Sequence, residues 1–303
     1  MTIELSRRRL LATAAVASVM GARGAFAADT VSIKRRYVDC RYGQLHLHVA
    51  EPAAAKAATR NPILCMHPSP ASGRYYLDLL RDLGRDRIAM ASDTPGYGES
   101  DRPPAPAPME GYSGAMADAL ENLGYGDKAG GRKVDLLGYH TGCLIAVDLA
   151  IRRPDLIRRL CLVAVPYYGT AERREQLLAN LDRAPYGEEP TKIVEMWDGT
   201  VKRRAKGVSL EQSIDQFLER MRPGDKEWWA YEAVFSYDSP ARFPLITQPT
   251  ALLNPHGVLY KETLAAAPMI KGAKLVDLPE LTHGVFQVGT AVIAREARKF
   301  LDA

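Results

Sequence analysis

Cysteine is scarce in this chain of 303 residues: Cys40, Cys65, Cys143 and Cys161, with no CxxC spacing among them. That excludes zinc-finger arithmetic. The apolar surroundings of all four predict buried free thiols, because buried cysteine behaves as a small hydrophobe. Charge of one sign is also lacking, since 40 Lys and Arg stand against 36 Asp and Glu. Four of the arginines and one glutamate fall in residues 1–27, and without that segment the formal charge drops from +4 to +1. No basic footprint for nucleic acid or a membrane surface remains. There are no internal repeats, and no apolar run reaches the ~20 residues of a membrane span.

The longest apolar run is "LLATAAVASVMGA", which follows Arg7, Arg8 and Arg9 and precedes "AFA" ending at Ala27. A charged start, a short apolar stretch and small residues at a cleavage position describe a secretory signal. "SRRRLLA" adds the twin-arginine feature of the Tat export route. Residues 1–27 are therefore expected to be a cleaved Tat-type signal, and the mature protein periplasmic or secreted. The remaining 276 residues suffice for one large domain with a substantial core.

Beyond the signal, residues 33–50 alternate around "YGQ" and predict a hairpin, with His46 and His48 on one side of its second strand as a solvated or half-buried pair. A loop at 51–61 follows. Short apolar runs such as "PILCMH", "RIAMASD", "KVDLLGY" and "IRRLCLVAV" then alternate with helical patterns, the signature of a mostly parallel sheet with crossover helices. From about 169 to 244 the pattern turns polar and helical, with Trp197, Phe217, Trp228 and Trp229 irregularly spaced, which predicts a helical cap inserted between two strands. Alternation resumes over 245–303. The organisation expected is signal 1–27, core 28–168, cap 169–244 and core 245–303.

Ligands in open α/β sheets bind beyond the carboxyl ends of the strands. His67, Asp93, His140, His256 and His283 all fall there. Asp93, Ser100 and Asp101 read as braces of the "DTPGYGES" loop, because Asp and Ser favour turn chemistry.

"GYHTG" between strand and helix, "DTPGYGES", the His67–Pro68 pair, an inserted cap and a late histidine together resemble the α/β-hydrolase fold. The resemblance implies that Gly138 and Gly142 frame a nucleophile elbow, that His283 is the catalytic histidine, and that the N–H groups of Ser69 and Thr141 form an oxyanion hole. Pro68 and Pro70 have no N–H to offer. Two departures stand out. His140 occupies the place of the nucleophilic serine, and no carboxylate lies between Asn254 and Tyr260, where the family keeps its acid. Asn254, His256, Glu280, His67 and Tyr167 are the candidates for orienting His283 or lining the site.

Loss of both nucleophile and acid rules out the serine-triad mechanism. Three readings remain. The first is a hydrolase or lyase of a small carbonyl compound such as an ester or lactone, using His140 and His283 as acid, base or nucleophile without a cofactor. The second is a non-catalytic small-molecule-binding protein. The third is a metal site built from His67, His140, His256 and His283.

Overall fold

The computed structural model describes residues 31–53, 59–127 and 131–303, so the expected signal segment lies outside the described residues. The described residues form an eight-stranded sheet. Its strands are β1 (Ser32–Cys40), β2 (Gly43–Glu51), β3 (Ile63–Met66), β4 (Ala89–Ser92), β5 (Val134–Tyr139), β6 (Ile157–Val163), β7 (Thr250–Pro255) and β8 (Lys274–Leu278). The spatial order is β1-β2-β4-β3-β5-β6-β7-β8. β1 pairs antiparallel with β2, and β2 antiparallel with β4; every pairing from β4 to β8 is parallel.

The helices of the core are α1 (Leu77–Leu83), α2 (Met109–Asn122) and α3 (Thr141–Arg152). Between β6 and β7 lie α4 (Ala171–Ala179), α5 (Thr191–Trp197), α6 (Leu210–Met221), α7 (Trp229–Ser236) and the short α8 (Ser239–Arg242). Two more, α9 (Tyr260–Ala266) and α10 (Thr290–Leu301), flank β8.

Strand periodicity explains the layering. Leu64 and Met66 of β3, Leu136 of β5 and Leu160 and Leu162 of β6 point to one face, where they pack with α2 and α3. Their neighbours Ile63, Cys65, Leu137, Cys161 and Val163 point to the other, with α1 and α10. Both faces are covered, which is why β3, β4 and β5 are buried at every position and read as unbroken apolar runs. Fully burying one such Leu or Val side chain contributes about 1.5–3 kcal/mol. The edge strand β8 is largely exposed and its pattern is correspondingly mixed. α10 buries Ile293, Ala294, Ala297, Phe300 and Leu301, a stripe at helical spacing. α3 is buried from Thr141 through Ala150 and is apolar nearly all round.

All four cysteines are free; Cys65, Cys143 and Cys161 are buried and Cys40 is half-buried. His46 and His48 depart from the expectation of a solvated or half-buried pair. They are 0% and 5% exposed, because β2 is an interior strand between β1 and β4 rather than a free hairpin arm.

The chain passes from β3 to β4 on one side and then to β5 on the other side of β3. That reversal creates a crevice at the carboxyl ends of β3 and β5. His67 follows one of these strands and His140 the other.

Candidate active site

His140 joins β5 to α3 with φ 49° and ψ −117°. A non-glycine residue rarely adopts this backbone, and the strain costs on the order of 1–3 kcal/mol. The turn that imposes it is closed by Cys143 N–H donating to the His140 carbonyl at 2.8 Å. Gly138 and Gly142 permit it. A Cβ at Gly138 would stand 2.6 Å from the Gly142 carbonyl oxygen, and one at Gly142 would collide with the Met66 carbonyl. The elbow therefore rests directly on the β3 backbone.

The His140 ring sits 4.0 Å, centroid to centroid, from that of Tyr139. Tyr139 packs in turn on Tyr75 and Phe286. No hydrogen bond reaches the His140 ring among the described residues. Burial lowers its pKa to about 4, so the imidazole is uncharged at neutral pH. The positive N-terminal end of α3 beneath it also disfavours protonation.

His140 and His283 line one cavity of about 610 Å³. Ser69, Tyr139, Tyr75 and Phe286 line the core side, and residues of α6 together with Tyr231 line the opposite side. His283 is exposed at this cavity, and no carboxylate hydrogen-bonds its ring among the described residues. The loop that carries it is tied to the end of β7, where His256 N–H donates to the Leu281 carbonyl at 2.8 Å.

Ser69 N–H donates to Thr141 Oγ1 at a long 3.3 Å. Thr141 opens α3, where the helix supplies no acceptor for its own N–H. Two donors that are weakly engaged or free thus flank the elbow. Tyr231 holds the Ser69 loop from the other side, its hydroxyl donating to the Ser69 carbonyl at 2.5 Å.

The remaining sequence candidates lie elsewhere. His67 is fully buried. Its Nε2 accepts from Thr94 N–H at 2.8 Å and its Nδ1 donates to the Pro68 carbonyl at 2.8 Å. Both ring nitrogens are committed to holding the two loops, so this histidine is a brace. His256 Nε2 pairs with Asp277 at 2.9 Å and its ring packs on Tyr260. Glu280 faces Arg295 at 4.0 Å. Asn254 is buried and donates to the Tyr260 carbonyl at 3.4 Å. Tyr167 packs on Phe243. None of these five is among the residues lining the cavity.

The four-histidine metal set is not assembled, because His67 has no free nitrogen and His256 is spent on Asp277. The group that does have ligand spacing among the described residues is His46, His48 and Asp93. Asp93 already accepts from Gly73 N–H, Glu99 N–H and His46 Nδ1 at 2.6–2.9 Å, so its carboxylate braces the 93–101 loop. Ser100 and Asp101 extend that brace to β2: Ser100 Oγ accepts from His46 N–H, and Asp101 accepts from Gln44 N–H.

Of the aromatics on the inserted helices Tyr231 lines the cavity, whereas Trp197, Phe217, Trp228 and Trp229 do not. Trp197 packs on Phe217, and Trp228 under Arg183. Instead α6 presents Gln212, Asp215, Gln216, Glu219 and Arg220 to it, positions on one helical face. That i, i+3, i+4, i+7, i+8 spacing of polar residues is visible in the sequence, but it has the same appearance as a solvated face.

A family model described as alpha/beta hydrolase fold matches residues 61–187, which include the elbow. Among curated proteins, the chain is 29% identical over 136 residues to epoxide hydrolase 4 of Mus musculus, covering 43% of this chain and 34% of that one. It is 21% identical over 126 residues to (E)-2-((N-methylformamido)methylene)succinate hydrolase of Acinetobacter baylyi, covering 42% and 46%. The matched stretch thus spans less than half of each relative. Among solved structures, a hydrolase from Pseudomonas aeruginosa superposes with TM-score 0.71 at 20% identity, over 89% of this chain and 99% of that one. The enol-lactonase from Burkholderia xenovorans does so with TM-score 0.70 at 17% identity, over 88% and 100%. Strand order, elbow backbone and these likenesses agree, and the chain has the α/β-hydrolase fold, with the family model matching its residues 61–187.

Proposed function

We propose that this protein hydrolyses a small ester or lactone with His140 in the place of the serine. The observation that carries the proposal is an imidazole at the elbow apex, in one cavity with a second histidine; burial lowers its pKa and favours the uncharged form. An uncharged imidazole has a free lone pair with which to attack a carbonyl or take a proton from water. The N–H groups of Ser69 and Thr141 flank the position where negative charge would develop on the carbonyl oxygen. The long Ser69–Thr141 contact is weak enough for an oxyanion to displace it. His283 hands a proton to the leaving oxygen and regains one from the attacking water, which in the nucleophilic route also releases the acyl group from His140.

The test is a panel of short-chain esters and lactones, with turnover measured for wild type and His140→Ala. Hydrolysis lost in the variant supports the proposal, and hydrolysis unchanged in the variant ends it. His256→Ala and Asp277→Asn are expected to leave kcat/KM within about twofold, because that exposed pair lies outside the cavity. Loss of activity in either variant would place the His256–Asp277 pair in the reaction.

A second reading is a non-catalytic binding protein, favoured by the absence, among the described residues, of a carboxylate partner on His283. A ligand bound in this cavity and recovered unchanged would support it. For either reading we propose export by the twin-arginine route. Replacing Arg7 and Arg8 by lysine is expected to leave the protein in the cytoplasmic fraction.

A further inference from the structure

Arg220 is the cavity residue whose surroundings leave its chemistry unfinished. It sits in the last turn of α6 and lines the cavity with His140 and His283. Its Nε is buried and has no hydrogen-bond partner, and among the described residues the guanidinium forms no ion pair. The neighbouring cations differ. Arg74 faces Glu219 at 3.4 Å, Arg81 is bonded to Asp78, Arg204 donates to the Val201 and Val208 carbonyls, and Arg203, which also has no ion pair among the described residues, is exposed to water. Glu219, the carboxylate next to Arg220 in sequence, is taken by Arg74 and Arg222. Glu227 is close enough to feel the Arg220 charge, yet it makes no ion pair with it and does not line the cavity.

A cation near a helix C-terminus is ordinarily favourable, but that role is served by a side chain in solvent. It does not explain a buried donor left without an acceptor, an arrangement that native interiors avoid. The guanidinium is a planar fork that matches a carboxylate with two parallel hydrogen bonds. Gln212 and Gln216, on the same face of α6, add neutral donors and acceptors beside it.

We propose that Arg220 is the binding residue for a carboxylate on the ligand, so that the cavity takes a small acid-bearing molecule in preference to its neutral counterpart. As a statement about substrate, this rests on the proposed hydrolysis: the carboxylate is held on α6 while the ester or lactone carbonyl reaches the elbow. Arg220 binds and orients, and takes no part in bond making.

The test uses binding, which is independent of turnover. Glutarate and glutaramide, alike in shape and different in charge, are titrated calorimetrically into wild type, Arg220→Gln, Arg220→Lys and Arg203→Gln. Wild type is expected to prefer glutarate by about 10-fold or more, the range of a charge-assisted pair. Arg220→Gln is expected to lose that preference, and Arg220→Lys to keep only part of it, having charge without the fork. Arg203→Gln, at an exposed arginine on the same cavity, is expected to retain it. Equal or undetectable binding of both probes by wild type would overturn the assignment. So would an undiminished preference in Arg220→Gln. A glutarate preference that depends on Arg220, in a protein that hydrolyses nothing in the panel, would sustain the carboxylate site and remove the hydrolase reading. Hydrolysis of neutral esters with no such preference would do the reverse.

Discussion

Replacing His140 by alanine is expected to lower kcat/KM for the best ester or lactone of the panel by at least 100-fold. A positioned acid or base contributes about 10²–10⁴ in rate, and a group that also serves as nucleophile sits at the upper end. The variant keeps both backbone donors and the cavity, so residual turnover above the uncatalysed rate is expected and KM should change little. A fall in kcat with KM preserved means that the lost interaction belonged to the transition state. His140→Ser is the informative companion. It rebuilds the family's nucleophile on the same elbow, but His283 still has no carboxylate on its ring. In serine triads, replacing the acid by its amide costs about 10⁴, so the serine variant should be a poor esterase rather than a restored one. Pre-steady-state measurement with an activated ester distinguishes the roles. A burst in wild type marks an acyl-imidazole intermediate that accumulates before its hydrolysis. Alanine and wild-type enzymes of equal activity would remove His140 from the reaction.

The fold was legible because its signals are redundant. Unbroken apolar runs at β3, β4 and β5, the polar stretch at 169–244 and the glycines around His140 each point to the same architecture. The elbow was legible for a related reason, since close approach to the Met66 backbone leaves room only for glycine at position 142. The surroundings of the two histidines were less so. Five residues that sequence proximity offered as orienting or lining groups are not among those that line the cavity, because strand ends and loops splay in directions that spacing does not record. His256 is an example: it follows β7, where the family's acid belongs, yet the register that sets Asn254 opposite Asp277 brings Asp277 within reach of its ring. Arg220 was missed for a different reason. A polar helical face looks the same in sequence whether it meets bulk water or roofs a cavity. Only the tertiary arrangement shows which arginine on that face has no counter-ion.

Acid should destabilise this protein well before its carboxylates titrate. Burial holds both His140 and His48 at a pKa of about 4, against an ordinary 6.5, and it lowers that of buried His67 as well. The unfolded chain takes up these protons as pH falls through about 6.5. The folded protein refuses them until about 4. In that window the unfolded state binds more protons, so unfolding becomes progressively easier as pH drops. Each histidine moved this far contributes about 3 kcal/mol, present above 6.5, lost between 6.5 and 4, and without further change below. Two such groups together represent a large fraction of a typical domain's 5–15 kcal/mol. The urea midpoint of wild type is therefore expected to be flat from pH 8 to 7 and to fall steeply towards pH 4. His140→Ala should show a shallower fall, smaller by one histidine's share, because the protons refused by His48 and His67 are unaffected. The comparison also isolates the site. His48 lies against His46 and Asp93 under the loop, whereas His140 stands at the cavity, and a ligand that excludes water from the cavity should steepen only the His140 share. A midpoint that does not move between pH 6.5 and 4 would mean that these imidazoles are hydrated, and the burial-lowered pKa of His140 would have to be given up with it.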